Sequence, residues 1–597
     1  MTMTTSVEAM SPTAAGTREA APGRGDRRLV WALLALSVLP LVVSAGLLVF
    51  DVGASYRAAA DWALIEMQIR DIGREPVLTG LYSRSEWSHP GPAQFFLLAP
   101  FYWLTGGASF GTWLGALVVN AGALLGMGLV ARRRGGTPLL LITILAGSLL
   151  VRTLGADFVR DPWNCYMTVL PFGLAVFLAW SLTAGDSWGL PLAVGVTSFV
   201  AQAHVGYVVL AVPLLAFGAL SLVIRVLRSG GVGQRRSLKR ASIVAVAVGG
   251  LLWLPPLIDL VLNAPSNAGN LIRYFQTTED EAHTLVDGWN VISAQLSTLP
   301  EWLTWHRTPT ALTGEPPSLY GPPLPVLLAV VIAAGALLVK RRIDAGGELV
   351  ATFAVVVGLG VIAIARTVGL AFDYRLRWTW ILGMVAFVIV AWGGWSFVSN
   401  RWSRAGRVLG PLTVAVVAVV TGLNVVSALR AGVPYEADSV VLADVMPEVL
   451  EAIEGTDGEV LVTDSLAGSW HARGVVLELE RRGFAARVPA ERKELFGDSR
   501  VVGEATPQAR IHVGVDSELG PLGGDPNLRL LSEWRSLSPA DVAELEARTA
   551  EVDADLEAGR IDQVEHELEK AAIERSLNRT DTISFAVATY LDTSLAD

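Results

Sequence analysis

Long apolar runs alternate with short polar connections over the first 430 residues of the chain. A helix needs about 20 apolar residues to cross about 30 Å of bilayer hydrocarbon. Eleven segments approach or exceed that length, near 29–50, 107–131, 137–154, 164–183, 187–206, 207–227, 241–262, 322–340, 348–366, 377–398 and 406–429. The pattern predicts a polytopic α-helical membrane protein with about 11 transmembrane helices in a domain covering 29–430, after a disordered cytoplasmic N-terminus, 1–28.

Arginine and lysine in the short connections predict the orientation of these helices. Basic clusters precede the first run and recur in alternate connections, at Arg24, Arg27 and Arg28, at 132–134, at 225–240, at 340–342 and at 401–407. Such clusters favour the cytoplasmic side. The N-terminus is therefore expected in the cytoplasm, and the loops 51–106, 155–163, 263–321 and 367–376 are expected outside, together with 431–597. This predicts a multi-pass cell-membrane protein.

Residues 431–597 have the mixed pattern of a soluble extracytoplasmic α/β domain. Strands are predicted at 459–463, 486–488 and 510–515, with 528–534 as a further candidate, and a helix is predicted at 466–482. Ser538 and Pro539 then begin an acidic helix, as a cap and a first-turn proline.

Charge separates the two parts and excludes some functions. The net charge of −10 divides into 31 basic and 22 acidic residues in 1–430, and 15 basic and 34 acidic in 431–597. An acidic exported domain argues against nucleic acid as a partner, because phosphate contacts need clustered cations. A single cysteine, Cys165, excludes an intramolecular disulfide framework and a cysteine-based zinc site.

The first outer loop contains candidate chemistry. Trp62, Ile65, Ile69 and Ile72 share one helical face, which predicts a helix lying on the membrane with that face down. Asp61, Glu66 and Asp71 would then sit at or above the lipid boundary. The alternatives are a first-turn acid for Asp61 and a surface ion pair with Arg70 for Glu66.

Further along the same loop lie groups suited to holding a sugar and a phosphate. Arg84, Glu86, Trp87 and His89 occur within six residues, and His89 begins a His-Pro-Gly-Pro turn. An apolar stretch from Phe95 to Leu104 follows. It is too short to span and is expected to be a second surface helix.

The order of these features resembles the GT-C superfamily of polyprenyl-phosphate-sugar-dependent glycosyltransferases. An acid on a surface helix after the first span, a His-Pro turn, an apolar half-helix ending in glycine and a second span ending in arginine are shared with its protein-mannosyltransferase-like and aminoarabinosyltransferase-like branch, including actinobacterial cell-envelope enzymes. The resemblance implies a GT-C-like fold, with Asp61 as the catalytic aspartate. The family usually has Asp-Glu there, whereas this chain has Asp61-Trp62.

Ionisable residues elsewhere concentrate at the outer ends of the predicted helices, where charge inside a span would be unfavourable. They include Arg160, Asp161, His204, Asp259, Asp373, Arg375 and Arg377, and the polar amide Asn164 lies beside them. By resemblance, the second outer loop carries an Asp or Asn, which makes Asp161 and Asn164 candidates for acceptor or metal contact. The alternatives are helix capping for Asp161 and interfacial snorkelling for the arginines.

The resulting hypothesis is transfer of a sugar from a polyprenyl-phosphate donor to a cell-envelope glycan, lipid or protein on the outer face of the membrane. Asp61 would act as general base in an inverting single displacement, with His89 and Asp161 supporting it. The substrate would be bound by Glu66, Arg84, Trp87, Arg160, Asn164, His204, Asp259, Asp373, Arg375 and Arg377.

Cofactor use and two other functions stay open at this point. The sequence assigns no metal ligands, and a divalent cation held partly by the donor phosphate is an open alternative. A transporter or flippase for lipid-linked glycans would show paired halves and midplane polar groups, which the sequence lacks. A scaffold whose exported domain recruits partners is a third reading, and the sugar, acceptor, linkage and oligomeric state are undetermined.

Overall fold

The computed structural model describes residues 24–595 apart from a set of gaps. These gaps are 53–54, 84, 281, 299, 305–324, 370, 434–435, 465–468, 504–505, 516–521, 536–537, 563–564, 571–572 and 574–586. Three sequence predictions therefore fall wholly or partly outside the described residues. They concern most of the N-terminal segment 1–28, the candidate Arg84, and residues 305–321 of the long outer loop; the first three residues of the predicted run 322–340 and of the predicted helix 466–482 also lie outside.

Apolar helices form the first two thirds of the chain, which is a multi-pass membrane protein. Among the described residues, eight helices are long and apolar enough to span a membrane. These eight helical segments are Arg27–Phe50, Phe110–Leu154, Asn164–Thr183, Val205–Ser229, Val232–Leu262, Gly346–Ala365, Asp373–Arg401 and Val408–Leu429. Three shorter apolar helices accompany them, at Ala93–Leu104, Gly189–Ala203 and Val326–Lys340.

The 45-residue helix Phe110–Leu154 contains two predicted spans. Its backbone leaves helical geometry at Gly135 and Gly136, where Gly136 has a φ of 70° that glycine adopts without a side-chain clash. The break falls between the predicted runs 107–131 and 137–154. Each of the eleven predicted runs thus overlaps a helix, while the number of membrane crossings stays a prediction.

The connections rich in arginine meet at one end of this bundle. Arg133 lies 3.1 Å from Asp186 in the next connection but one, and Arg225 pairs with Glu348. The described parts of the loops predicted to lie outside contact one another, and the first of these loops also contacts the C-terminal part of the chain. Which side of the membrane each group of connections faces stays a prediction.

The C-terminal part is a five-stranded mixed sheet with helices. Its strand order is Ala485–Arg487, Glu459–Asp464, Ala509–Val515, Val587–Asp592 and Leu528–Trp534. The first three strands are parallel and the last two pair antiparallel. The helices include Glu436–Ala452, Ser469–Arg481 and Pro539–Glu557, the last with a capping box between Ser538 and Asp541.

Two helices join the C-terminal part to the membrane part. We call Ala60–Asp71 the first-loop helix and Ser469–Arg481 the docking helix. Gly474 allows the close approach, because a Cβ there would lie 2.9 Å from the carbonyl oxygen of Ala58. A single apolar cluster runs from the membrane helices through Ile65 into Val475.

Burial of the first-loop helix corrects part of the sequence interpretation. Trp62, Ile65 and Ile69 are buried as expected, but Glu66 is buried too, at 2% exposure. The predicted surface pair between Glu66 and Arg70 is wrong, since Glu66 instead pairs with Arg481. The physical reason is that the docking helix covers the face that would otherwise be open to water.

Candidate active site

Asp61 lies in the first turn of the first-loop helix with both carboxylate oxygens occupied. Trp163 donates its indole N–H to Oδ2 at 3.0 Å, and Arg473 of the docking helix donates from Nη1 to Oδ1 at 2.9 Å. The side chain keeps 30% of its surface exposed. Asp61 is therefore a held carboxylate that a further molecule can still reach.

The backbone is strained just before this residue. Ala60 has a φ of 48°, in the left-handed region that costs an L-residue about 1–2 kcal/mol. Such strain persists only where the surroundings fix it, and it is often found at functional sites. Here it turns the chain from the extended Ala59 directly into the helix that carries Asp61.

Asp161 faces the same helix from the second outer loop and forms a crossed arrangement with Asp61. Trp62 donates its indole N–H to Oδ1 of Asp161 at 2.9 Å, and the backbone N–H of Trp163 donates to the same oxygen at 2.8 Å. Each acid thus accepts from a tryptophan near the other acid. The residue that replaces the expected glutamate, Trp62, links the two loops.

Burial changes the acid–base behaviour of Asp161. Its side chain is 5% exposed, and desolvation raises its pKa to about 7, against the opposing effect of the N–H groups of Trp163 and Trp62. Asp161 is therefore partly protonated near neutral pH. Its carboxylate holds the Trp62 side chain and the Trp163 backbone next to Asp61.

An aromatic path connects Asp61 to the loop that follows the ninth apolar run. The rings of Trp163 and Tyr374 lie 4.9 Å apart, and Tyr374 stacks on Phe372 with centroids 5.5 Å apart. The guanidinium of Arg375 lies 5.5 Å from the Phe372 ring and 6.0 Å from the Tyr374 ring. Arg375 is thereby brought to the same end of the bundle as Asp61.

The neighbouring Arg377 is held differently. It is 8% exposed, pairs with Asp373, and lies 4.1 Å over the ring of Trp380. Both predicted residues, Asp373 and Arg377, are thus engaged with each other. Arg377 supplies positive charge to this end from within the fold, whereas Arg375 is less buried.

His89 is buried in the turn that the sequence singled out. Its Nδ1 accepts the backbone N–H of Val205 at 3.2 Å, and its ring lies 4.8 Å from that of His204 and 5.2 Å from that of Trp87. Burial, with the charges of His204 and Arg375 acting in the same direction, holds the pKa of His89 well below its usual range. Neutral His89 shapes the loop rather than supplying charge.

Several predicted residues make structural contacts. Buried Arg160 lies 3.1 Å from Asp157, and the Asn164 side chain donates to the carbonyl of Ala203 at 2.9 Å. Neither contacts Asp61 among the interactions that the described residues show. The Arg160 pair lies within the second outer loop, whereas Asn164, directly after that loop, joins it to the end of the helix Gly189–Ala203.

Asp259 organises the start of the long outer loop. Its carboxylate accepts from the Asn263 side chain and from the backbone N–H of Asn267, each at 2.8 Å. Asn267 in turn donates to the carbonyl of Ser88 at 2.8 Å. Asp259 therefore supports the loop of His89 through Asn267.

A metal site is not formed by the described residues, which contain no group of three or more His, Cys, Asp or Glu side chains placed to hold an ion. Asp61 and Asp161 are linked through tryptophans. Dependence on a divalent cation stays a prediction that metal removal can test.

Sequence reasoning missed two residues that contact Asp61. Trp163 follows the candidate Asp161 by two positions, and nothing in the sequence marked its indole as a hydrogen-bond partner of Asp61. Arg473 lies 412 positions from Asp61, on a helix whose pattern resembles any amphipathic surface helix. Only the fold brings either group to Asp61.

Solved structures with similar architecture identify the fold. The chain is similar to ArnT from Cupriavidus metallidurans bound to undecaprenyl phosphate, with a TM-score of 0.53 and 12% identity, covering 85% of this chain and 96% of that chain. The apo structure of ArnT aligns with a TM-score of 0.50 and 14% identity over the same shares. The chain has the GT-C fold.

More distant similarity extends to the arabinosyltransferase EmbB from Mycobacterium smegmatis, with a TM-score of 0.31 and 13% identity, covering 88% of this chain and 49% of that chain. No protein-family model matches the sequence, and no curated protein matches it. The GT-C fold is therefore indicated by structural similarity to ArnT, in agreement with the resemblance seen in the motifs of the first two outer loops.

Proposed function

We propose that this chain is a glycosyltransferase that moves a sugar from a polyprenyl-phosphate donor to a hydroxyl group of a cell-envelope acceptor on the outer face of the membrane. The observation that carries the proposal is Asp61, a carboxylate fixed by two donors yet 30% exposed. The structure of ArnT with undecaprenyl phosphate supports the class of donor, because the two chains share one fold.

The reaction needs a base, a cation and a leaving group. Asp61 accepts the proton of the acceptor hydroxyl as that oxygen attacks the anomeric carbon of the sugar. The bond from the anomeric carbon to the phosphate oxygen breaks, and the electron pair leaves with the polyprenyl phosphate. A single displacement of this kind inverts the anomeric configuration.

Arg375 is the best-placed cation for the departing phosphate. Its guanidinium is fixed by Phe372 and Tyr374, so the group is oriented before substrate arrives. A planar guanidinium can offer two parallel N–H groups to phosphate oxygens. Arg377 and Arg160 contribute positive charge from more buried positions, where each already pairs with an acid.

The loops around Asp61 would form the rest of the site. Trp163 contacts the carboxylate and Tyr374 packs against Trp163, which gives an aromatic surface suited to a sugar ring. The carboxylate of Asp161 holds Trp163 in place by accepting its backbone N–H. His89 and Trp87 lie in the neighbouring loop, which would bound the sugar on the side of Arg375.

The proposal is tested by supplying purified full-length protein with radiolabelled sugars on undecaprenyl phosphate, together with cell-envelope extract as acceptor. We expect one labelled donor to be consumed and its label to appear in the acceptor, with undecaprenyl phosphate released in equal amount. Transport of intact donor across vesicle membranes without release of undecaprenyl phosphate would contradict the proposal and favour a flippase.

A further inference from the structure

The C-terminal part of the chain reaches the candidate base through one side chain. Arg473 is on the docking helix, and its Nη1 lies 2.9 Å from Oδ1 of Asp61. We propose that Arg473 is a positioning residue: it fixes the orientation of the Asp61 carboxylate, so that the membrane part is catalytically complete only with the C-terminal part docked on it. The inference rests on the proposed function of Asp61.

The geometry around the carboxylate carries the first step. Trp163 holds Oδ2 and Arg473 holds Oδ1, so the two donors together fix rotation of the carboxylate about its last bond. With one donor alone that torsion is broad. A general base must keep its lone pair aimed at the acceptor hydroxyl, and small losses of alignment reduce the rate strongly.

Arg473 is itself held in place. Its side chain is 15% exposed, and it lies between Asp61 on the membrane part and Asp464 at the end of the strand Glu459–Asp464, both of which attract its charge. Asp464 is held in turn by Arg492, whose Nε donates to Oδ1 of Asp464 at 3.0 Å. The guanidinium is therefore preorganised by both parts of the chain.

Docking does not depend on Arg473, because other ion pairs cross the same interface. Arg500 makes two hydrogen bonds of 2.8 Å to Asp71, one to each carboxylate oxygen. Arg57 lies 3.0 Å from Glu478. These pairs include neither Asp61 nor Arg473, so ion pairs other than Arg473–Asp61 also hold the two parts together.

Exposure separates the Asp61 pair from the docking pairs. Asp61 is 30% exposed, whereas Asp71 is 14% exposed and Glu66 is 2% exposed. Of the three acids on the first-loop helix, the one joined to Arg473 is the most open to a ligand. An ion pair that only stabilises docking does not need an exposed carboxylate, whereas a general base must be reached by the acceptor hydroxyl.

The test compares two arginine-to-glutamine variants of the full-length protein. Arg473→Gln removes the charge beside Asp61, and Arg500→Gln removes a docking pair about 15 Å further along the first-loop helix, at 1.5 Å per residue. For Arg473→Gln we expect kcat to fall about 10- to 100-fold with the donor KM within about twofold of wild type. For Arg500→Gln we expect kcat within about threefold, despite the greater loss of docking contacts.

Two further variants make the test decisive. Arg473→Lys keeps a cationic donor, and because Arg473 gives Asp61 a single hydrogen bond, lysine should recover most of the lost kcat. Arg57→Gln weakens docking more mildly and serves as the control if Arg500→Gln does not fold. Docking is monitored separately by hydrogen exchange of residues 60–71, which should stay protected in Arg473→Gln.

Three results would overturn the inference. They are a wild-type kcat in Arg473→Gln, an equal loss of kcat in Arg473→Gln and in a docking variant, or loss of protection at 60–71 in Arg473→Gln. Asp61→Asn separates this inference from the proposed function. If Asp61→Asn is inactive while Arg473→Gln is unaffected, only the role of Arg473 fails, whereas an active Asp61→Asn refutes the assignment of the base itself.

Discussion

Replacing Arg481 by methionine should destabilise docking more than any single change nearby. Arg481 pairs with Glu66 and lies 2.7 Å from Glu478; it also donates to Ser109 at 2.9 Å. Glu478 keeps Arg57 and Arg482 as partners, so Glu66 is the acid left buried and unpaired among the described residues. Breaking a buried pair on one side costs about 3–5 kcal/mol.

The loss of stability in Arg481→Met should depend on pH, and the pKa of Glu66 determines whether the loss is larger at high or at low pH. Burial raises the pKa of Glu66 above its ordinary value of 4.5, against the lowering effect of Arg481. A carboxyl with a raised native pKa binds more protons when folded, so stability falls as pH rises through and above its ordinary pKa. Without Arg481 the native pKa rises further. Arg481→Met should therefore lose most at pH 8 and less at pH 5.5, where a proton replaces the cation.

Thermal unfolding of the full-length protein in detergent, followed at both pH values, provides the assay. At about 2–4 °C per kcal/mol for a unit of 150–250 residues, the expected loss in Tm is about 6–20 °C at pH 8. Arg482→Met is the matched control, because Arg482 is 31% exposed and its side chain bonds to Glu478 alone among the described residues. Its Tm should change by less than about 4 °C.

A double variant completes this test. Glu66→Gln combined with Arg481→Met removes both charges and should recover about 1–3 kcal/mol relative to Arg481→Met alone, because no unpaired charge stays buried. Equal Tm losses in Arg481→Met and Arg482→Met, an equal loss at both pH values, or a double variant that is additive would refute the reasoning.

Three further predictions concern the candidate site. Because the native pKa of Asp161 lies at about 7, the wild-type protein should lose up to about 4 kcal/mol of stability between pH 4 and pH 7, and Asp161→Asn should abolish this loss. Denaturation of both proteins across that pH range measures the difference, and an unchanged pH dependence in the variant would be the contrary result. Trp163→Phe keeps the ring contacts but deletes the donor to Asp61, and steady-state kinetics should show kcat reduced about 10-fold; a wild-type kcat would contradict this. Arg375→Gln should weaken binding of undecaprenyl phosphate about 10-fold or more with Tm within about 3 °C, as titration by intrinsic fluorescence can show, and unchanged affinity would rule out its phosphate role.

The membrane part of the fold was largely predictable because its physics is local. Each predicted run overlaps a helix, since a span must satisfy its own backbone hydrogen bonds in lipid. The break at Gly135–Gly136 separates two predicted runs. In the C-terminal part, the strand Leu528–Trp534 has the predicted bounds, because alternation and turn residues are also local signals.

The environment of the candidate site was not predictable in the same way. Asp61 was selected by its place in a motif, but its two partners come from residues 163 and 473, which only tertiary structure brings near. Glu66 was expected at or above the lipid boundary, on the solvent-exposed face of its helix. The docking helix that buries it lies about 400 residues later in the chain. Hydrophobic periodicity shows which face is apolar, but it does not show that another domain will cover the polar face.

The most direct test of the central claim is sugar transfer by Asp61→Asn. Asparagine keeps the size of the side chain and can still accept from Trp163, but it is a far weaker base. In the labelled-donor assay we predict a loss of at least about 1,000-fold in transfer, with the expression level, the Tm and the affinity for undecaprenyl phosphate close to wild type. Transfer at more than a tenth of the wild-type rate would contradict Asp61 as the base.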